Sequence, residues 1–297
     1  MDVTRDGPDP AVEAAWRLHR GRVLDMAYRM LGSLAEAEDV VSEAYARLVA
    51  VGVAGIDDVR GWLVTVTSRL CLDRLRSAEL RRRSYVGPWL PEPIVGAPRA
   101  GADPADRVTL DESVRMALLV LLEQLTAAER TVFVLADVFG MGFDEIATIV
   151  GRSPAACRQL ATRARARIAA DGAGRFHPDV ALQRHVAERF ARACAAGDLD
   201  GLIALLHDEV VGEFDSGGFI PGAPLDAAIG PQHVAVLLQG AFAASGATFA
   251  VESINGEPGV VVVVAGRIVA AIALEIRDDR VVHIHGIGNP AKLRQPS

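Results

Sequence analysis

Apolar residues in the first half of the chain recur at helical spacing. After Ser33, positions Val40, Val41, Ala44, Tyr45 and Leu48 fall on one helical face. Ser33 with Glu36 three residues on reads as a capping box that starts this helix. Glu36, Asp39 and Glu43 make an acidic stripe on another face. A further helix is predicted from about Asp57 to Arg83. It is apolar around much of its circumference, with a polar stripe at Thr65, Arg69, Asp73 and Arg76, and it ends in Arg81-Arg82-Arg83. The pattern then breaks. Residues 87–93 hold Pro88, Pro91 and Pro93, with Pro98 and Pro104 beyond, a density that no helix or central strand survives. An extended linker over about 86–107 is therefore expected. An amphipathic helix follows at about 108–124, and Thr126 with Glu129 is a second capping box that starts another.

The sharpest motif spans Phe143–Ile168. A short helix ends at Gly151, which suits a tight interhelical turn. Ser153 is a good N-cap, and Pro154 sits at the first helical position, where its missing N–H costs nothing. On the second helix Cys157, Leu160, Ala161, Ala164 and Ile168 share one arc. Arg158, Gln159, Thr162 and Arg165 lie opposite, with Arg163 beside them. Arg pairs well with guanine edges, Gln with adenine, and further Arg residues neutralise phosphates, so this face suits a DNA major groove.

Beyond 171–178 the pattern changes. Two helices are expected at about 179–196 and 199–207, and another at about 231–244. Val260–Val264 is a continuous apolar run. Ile268, Ala270, Ile272, Leu274 and Ile276 alternate, as do Val281, His283 and His285, with turns at Gly266-Arg267 and Asp278-Asp279. Helices followed by an antiparallel sheet predict an α+β domain. The fold class is thus multidomain: two all-α domains, the second with a helix-turn-helix, then an α+β domain. The expected boundaries are 8–85, a linker at 86–107, 108–170, a linker at 171–178, and 179–297.

Composition adds limits. The 297 residues are 51% hydrophobic and 23% charged, ordinary for a folded chain. No apolar run approaches the ~20 residues of a membrane helix, and the N-terminus lacks a basic stretch followed by an apolar core, so neither a membrane location nor a secretory signal is expected. Three widely spaced cysteines suggest neither a disulfide framework nor a zinc site and fit a reducing cytoplasm. Residues 1–170 carry 22 Lys and Arg against 23 Asp and Glu, net −1. Residues 171–297 carry 9 against 15, net −6, which completes the −7 of the chain. The acidity therefore belongs mainly to the C-terminal part. Thirty of the 31 basic residues are Arg, and Lys292 is the one lysine. Arg suits bidentate phosphate and base contacts, although GC-rich coding produces the same excess.

These motifs, in this order and spacing, resemble the bacterial sigma factors of the extracytoplasmic-function type over about residues 10–170. Residues 35–48 (AEAEDVVSEAYARL) are similar to regions 2.1–2.2, residues 59–76 (VRGWLVTVTSRLCLDRLR) to regions 2.3–2.4, and residues 125–168 to region 4. The linker sequence YVGPWLPEP, with the C-terminal domain and its closing Asn289-Pro290-Ala291-Lys292-Leu293, resembles the subgroup that carries a cone-like SnoaL-type domain regarded as a built-in regulator. One departure is visible: Asp215-Ser-Gly-Gly-Phe219 stands where that subgroup often has a lysine-ended motif.

The resemblance implies promoter-specific initiation with core RNA polymerase (β′ and β subunits) and promoter DNA as partners. It implies polymerase contact by Glu36, Asp39 and Glu43, −10 contact by Arg69, Arg76, Arg81 and Arg82, and −35 contact by Arg158, Gln159, Thr162, Arg163 and Arg165. Trp89, Leu90 and Pro91 of the linker, with Asp215, Asn289, Pro290 and Lys292, are the expected interdomain regulatory residues, because a tryptophan is a poor choice for a plain spacer. An unidentified small ligand or protein is a further partner expected for the C-terminal domain. His283 and His285 share a strand face, with His207 and Asp215 near in sequence. No nucleophile signature or metal spacing accompanies them, so no enzyme activity, catalytic residue, metal or cofactor is expected. The competing readings are a stand-alone DNA-binding regulator and a DNA-tethered SnoaL-type enzyme. The acidic stripe and the second DNA-reading module argue against the first.

Overall fold

A computed structural model describes residues 9–82, 84–96, 114–170, 179–220, 223–242 and 245–293, without the side chains of 79–82. By packing, the described chain forms two compact units. Residues 9–80 and 124–167 make one; residues 81–96, 114–123 and 168–293 make the other. Both are discontinuous in sequence.

The first unit is helical. Helix α1 (Pro10–Leu31) starts where the Asp9 side chain accepts a hydrogen bond from Ala11 N, with Pro10 in the first turn, and it stops at left-handed Gly32. Helix α2 (Leu34–Val51) opens at Ser33, whose Oγ accepts from Glu36 N at 3.2 Å. Its buried residues Val40, Val41, Ala44 and Leu48 are those of the apolar periodicity. Tyr45 stacks on Trp16 of α1 at 4.9 Å and donates its hydroxyl to Glu13. Helix α3 (Val59–Arg82) buries Leu63, Cys71, Leu72 and Leu75, and its Ser68 hydroxyl donates to Met26 Sδ of α1.

Helix α5 (Ala127–Phe133) carries the complete capping box between Thr126 and Glu129 and runs on into one π-helical turn, Val134–Val138. Helices α6 (Phe143–Val150) and α7 (Pro154–Ala170) form the predicted helix-turn-helix. Gly151 has φ 71°, a conformation costly for any residue with a Cβ, and the Ser153 hydroxyl accepts from Ala156 N.

The second unit is built on a sheet. Helices α8 (Val180–Ala196), α9 (Leu199–Leu205) and α10 (Pro231–Phe242) accompany strands β1 (Leu206–Asp215), β2 (Ala228–Ile229), β3 (Thr248–Ile254), β4 (Glu257–Val264), β5 (Arg267–Arg277) and β6 (Arg280–Ile287). The sheet order is β2-β1-β6-β5-β4-β3. One sheet face joins Phe190, Leu202 and Leu238 of the helices in a single core with Val260, Val262, Ile272 and Ile284. The opposite face buries Val261, Ala271 and Ile287 with Leu90 of the linker and Met116 of α4 (Met116–Glu123).

Two expectations need correction. The sheet is mixed, because β1 runs parallel to β6 while the other pairs are antiparallel. Alternation within a strand carries no information on the direction of its neighbour. The helix expected at 199–207 ends at Leu205, and the chain passes directly into β1, a strand the pattern did not reveal. A register shift between Leu206 and Val211 breaks the period of two there. The helix expected at 108–124 is described from Met116, and by packing it groups with the sheet unit. Residues 97–113 and 171–178, with the expected linker end and domain boundary, lie outside the described residues.

Candidate functional site

In the first unit, α7 divides as its sequence implied. Cys157, Leu160, Ala161 and Ala164 are buried. Arg158, Gln159, Thr162 and Arg163 line one open concavity on the exposed side. Arg158 also sits over the Phe143 ring at 5.5 Å. Arg165 is not part of that concavity; its Nε donates to Asp137 at 2.8 Å. Glu129 receives Arg163 Nε at 3.1 Å and Arg167 Nη1 at 2.9 Å. Burial alone would raise the carboxyl pKa of Glu129, yet the bonds from Thr126, Arg163 and Arg167 hold it below the ordinary value. The cap of α5 therefore also anchors α7.

The α3 stripe is exposed at Arg69, Asp73 and Arg76. Arg76 lies 3.5 Å from Asp73. Arg69 reaches across to α6 and donates to the Thr148 carbonyl at 3.0 Å. The side chains of Arg81 and Arg82 lie outside the described residues. On α2, Asp39 is exposed and 3.8 Å from Arg74, Glu43 pairs with Arg47 at 2.6 Å, and Glu36 is half-buried in the first turn. A contact the sequence did not reveal is Arg130. It is 1% exposed, and its Nη1 donates to the Met30 carbonyl at 3.0 Å, joining α5 to the end of α1. Arg22 and Arg29 of α1 also lie over the Phe139 ring.

In the second unit, a dry polar cluster forms around Asp215 at the end of β1, which is 1% exposed. Its Oδ1 accepts from the Tyr85 hydroxyl at 2.5 Å and from Gly217 N at 3.1 Å. Its Oδ2 accepts from Leu90 N at 3.0 Å and from Lys292 Nζ at 2.6 Å. Lys292 donates as well to the Leu90 carbonyl and sits 3.4 Å from the centre of the Trp89 ring. Tyr85 packs edge-on to Trp89 at 4.7 Å and accepts a bond from Asn289 Nδ2. Burial and the adjacent Asp215 carboxylate push the Tyr85 hydroxyl far above its ordinary pKa, so it stays a donor. Leu90 and Pro91 are buried, whereas Pro290 is exposed at the turn that presents Asn289 and Lys292. The ammonium on Asp215 thus comes from Lys292. Phe219 of the Asp215–Phe219 segment is 65% exposed.

Sequence reasoning missed two parts of this grip. Tyr85 carries no signal of its own within the linker sequence. Asn255 lies in the β3–β4 turn at φ 53°, and its Oδ1 accepts from Ile94 N while its Nδ2 donates to the Val114 carbonyl. Asn255 N also donates to the Ile94 carbonyl, and Arg115 pairs with Glu257 at 3.1 Å. The available signal was Asn255-Gly256, a hairpin-turn pair.

A cavity of about 340 Å³ lies within the second unit. Phe214, Ile220, Leu238 and Phe242 make its walls largely apolar, and Asp215 and Ser216 give it one polar end. Among the described residues, no helix is long and apolar enough to cross a membrane.

A helix-turn-helix whose second helix exposes a basic face, packed with a further helical module, is the architecture of a DNA-binding transcription factor. The family model for sigma-70 region 2 matches residues 15–81, and that for sigma-70 region 4 matches residues 115–168. The probable ECF RNA polymerase sigma factor SigI of Mycobacterium tuberculosis is 40% identical over 300 residues, covering 96% of this chain and 95% of its own. SigJ of the same species is 44% identical over 204 residues, covering 69% of this chain and 65% of its own. The crystal structure of that extracytoplasmic function sigma factor superposes with a TM-score of 0.75 at 35% identity, over 94% of this chain and 97% of the other. The chain belongs to the extracytoplasmic-function RNA polymerase sigma factors, which direct transcription initiation.

Proposed function

We propose that the C-terminal domain restrains this sigma factor in cis by holding the linker between its two DNA-reading modules. One observation carries the reading: the buried Asp215 carboxylate binds Tyr85 and Leu90 of that linker, with Lys292 neutralising it and bridging to Leu90. A second supports it. Arg130 ties the region 4 helix α5 to the region 2 helix α1. Promoter elements centred roughly 25 base pairs apart lie ~85 Å apart at ~3.4 Å per base pair. Helices held in contact by Arg130 do not reach both, so engagement of a promoter requires the modules to part. A ligand or partner that binds the released state better shifts the balance, and the cavity beside Asp215 and Ser216 is a place for a small apolar one.

In the released state Glu36, Asp39 and Glu43 meet basic surface of the core polymerase, on its β′ subunit, while region 4 lies towards β. Arg69 leaves the Thr148 carbonyl and, with Arg76, Arg81 and Arg82, contacts the −10 DNA. Arg158, Gln159 and Thr162 read −35 bases, with Arg163 and Arg165 on phosphates. This reading puts the protein in the cytoplasm with polymerase and assigns no catalysis.

The test compares full-length wild type with Asp215→Asn in core polymerase binding and run-off transcription. The variant is expected to bind core more tightly and to initiate more often. Equal behaviour overturns the restraint. Failure of both to bind core overturns the polymerase-docking assignment.

A further inference from the structure

The sheet face that carries Asp215 holds a second polar cluster that the linker grip does not use. Along β6, His283 and His285 are two residues apart, so both imidazoles stand on one face. On the neighbouring strand Glu275 is the direct cross-strand partner of His283. On the other side Glu213 of β1 is the partner of His285. Ligand atoms of Glu275, His283 and His285 all lie within 4.8 Å of one another. His285 Nε2 is 2.8 Å from Glu275 Oε1. His285 is 2% exposed, and its buried Nδ1 makes no hydrogen bond, with Glu213 Oε2 at 3.5 Å.

The geometry points to a binding site for one divalent transition-metal ion of the zinc class, ligated by Glu275, His283 and His285. Two imidazoles and a carboxylate are a borderline-hard donor set that zinc accepts, leaving a fourth position for water. Ligands ~2.1 Å from a tetrahedral ion lie ~3.4 Å apart, so closing the cluster needs a shift of an ångström or so. His283 and Glu275 are only partly buried. His285 is fixed by burial. A metal on its Nε2 leaves Nδ1 carrying the proton, directed at Glu213. That carboxylate–histidine–metal relay orients a ligating imidazole and raises its basicity. Glu213 and Glu275 flank the two ring nitrogens of His285, and they are the anionic groups that a divalent cation would balance once it displaces the proton from Nε2. The sequence pattern did not show the site because Glu275 and Glu213 join His-x-His only through strand pairing.

The test uses the full-length protein stripped with a chelator, then titrated with Co²⁺ and followed by its visible ligand-field absorption, with Zn²⁺ as competitor. The expected result is one equivalent of Co²⁺ per chain in a low-symmetry, four- or five-coordinate spectrum, displaced by Zn²⁺. His283→Ala, at a half-buried position, is expected to abolish the band while far-UV circular dichroism stays unchanged. Glu213→Gln is expected to keep the band but weaken binding ~10–100-fold. No band, or an identical titration in His283→Ala and Glu275→Gln, overturns the proposal. Should His283→Ala fail to fold, Glu275→Gln alone decides: wild-type binding overturns the site, and a lost band supports it.

Discussion

Two polar surfaces of this molecule have opposite electrostatic character. On α7 the guanidinium groups of Arg163 and Arg165 are about half exposed and pair with Glu129 and Asp137. At the linker grip, Asp215 and Lys292 are almost fully removed from water. Exposed pairs contribute ~0–1 kcal/mol each, and solvent replaces them easily. Breaking a buried pair by removing one partner costs ~3–5 kcal/mol, because a naked charge is left behind. Arg165 can therefore trade Asp137 for a phosphate at little cost, and Arg163 can leave Glu129, which is itself buried, because Arg167 and the Thr126 cap stay on that carboxylate. The second holds one arrangement until something displaces it as a whole. An exchangeable surface suits DNA, and a dry cluster suits a latch.

The sharpest way to break this contrast is Lys292→Met, which keeps the packing on Trp89 but strands the Asp215 carboxylate. Loss of ~3–5 kcal/mol is expected in urea unfolding followed by tryptophan fluorescence. A change below 1 kcal/mol would show the cluster to be as soft as the surface. Next is Arg130→Met, which keeps the aliphatic bulk and removes the bond to the Met30 carbonyl. A loss of roughly 1–3 kcal/mol is expected, together with faster amide exchange at the end of α1.

Arg158→Ala is expected to weaken holoenzyme binding to its promoter roughly tenfold, by ~1–3 kcal/mol, with thermal stability unchanged. Equal gel-shift affinity would remove Arg158 from the reading. Glu129→Gln is expected to cost ~1 kcal/mol at neutral pH. Because the folded pKa of Glu129 is depressed, its contribution is present above the ordinary carboxyl range and fades as pH falls through the folded value. The acid limb of the stability curve should therefore flatten in this variant. The smallest effect belongs to Arg76→Ala, a few tenths of a kcal/mol in stability, because its pair with Asp73 is exposed.

Helix periods, both capping sequences and the Gly151 turn were legible because each is a local constraint. The helical modules and their order followed from them. The C-terminal domain was legible as a class only. The alternation in Ile268–Ile276 marks a strand, but nothing local says that β6 lies between β1 and β5, or that β1 runs parallel to it. Of the grip, Asp215 and Lys292 entered through the family resemblance, and Trp89 also because a tryptophan is a poor choice for a plain spacer. Tyr85, Asn255 and Arg130 did not, since each acts on a partner about 100 residues or more away. The Glu275–His283–His285 cluster is close in sequence, but only the register of the β5–β6 pairing brings Glu275 opposite His283.

Lys292 is the one lysine in 297 residues. The residue is 7% exposed, and its ε-amine is held by Asp215, the Leu90 carbonyl and the Trp89 face. Apart from the α-amino group, the chain thus offers an acylating reagent a single amine, and that amine is covered while the linker is held. The rate of acetylation at this one atom, read by mass spectrometry on unmodified protein, becomes a built-in clock for linker release. No dye, tag or engineered cysteine is required.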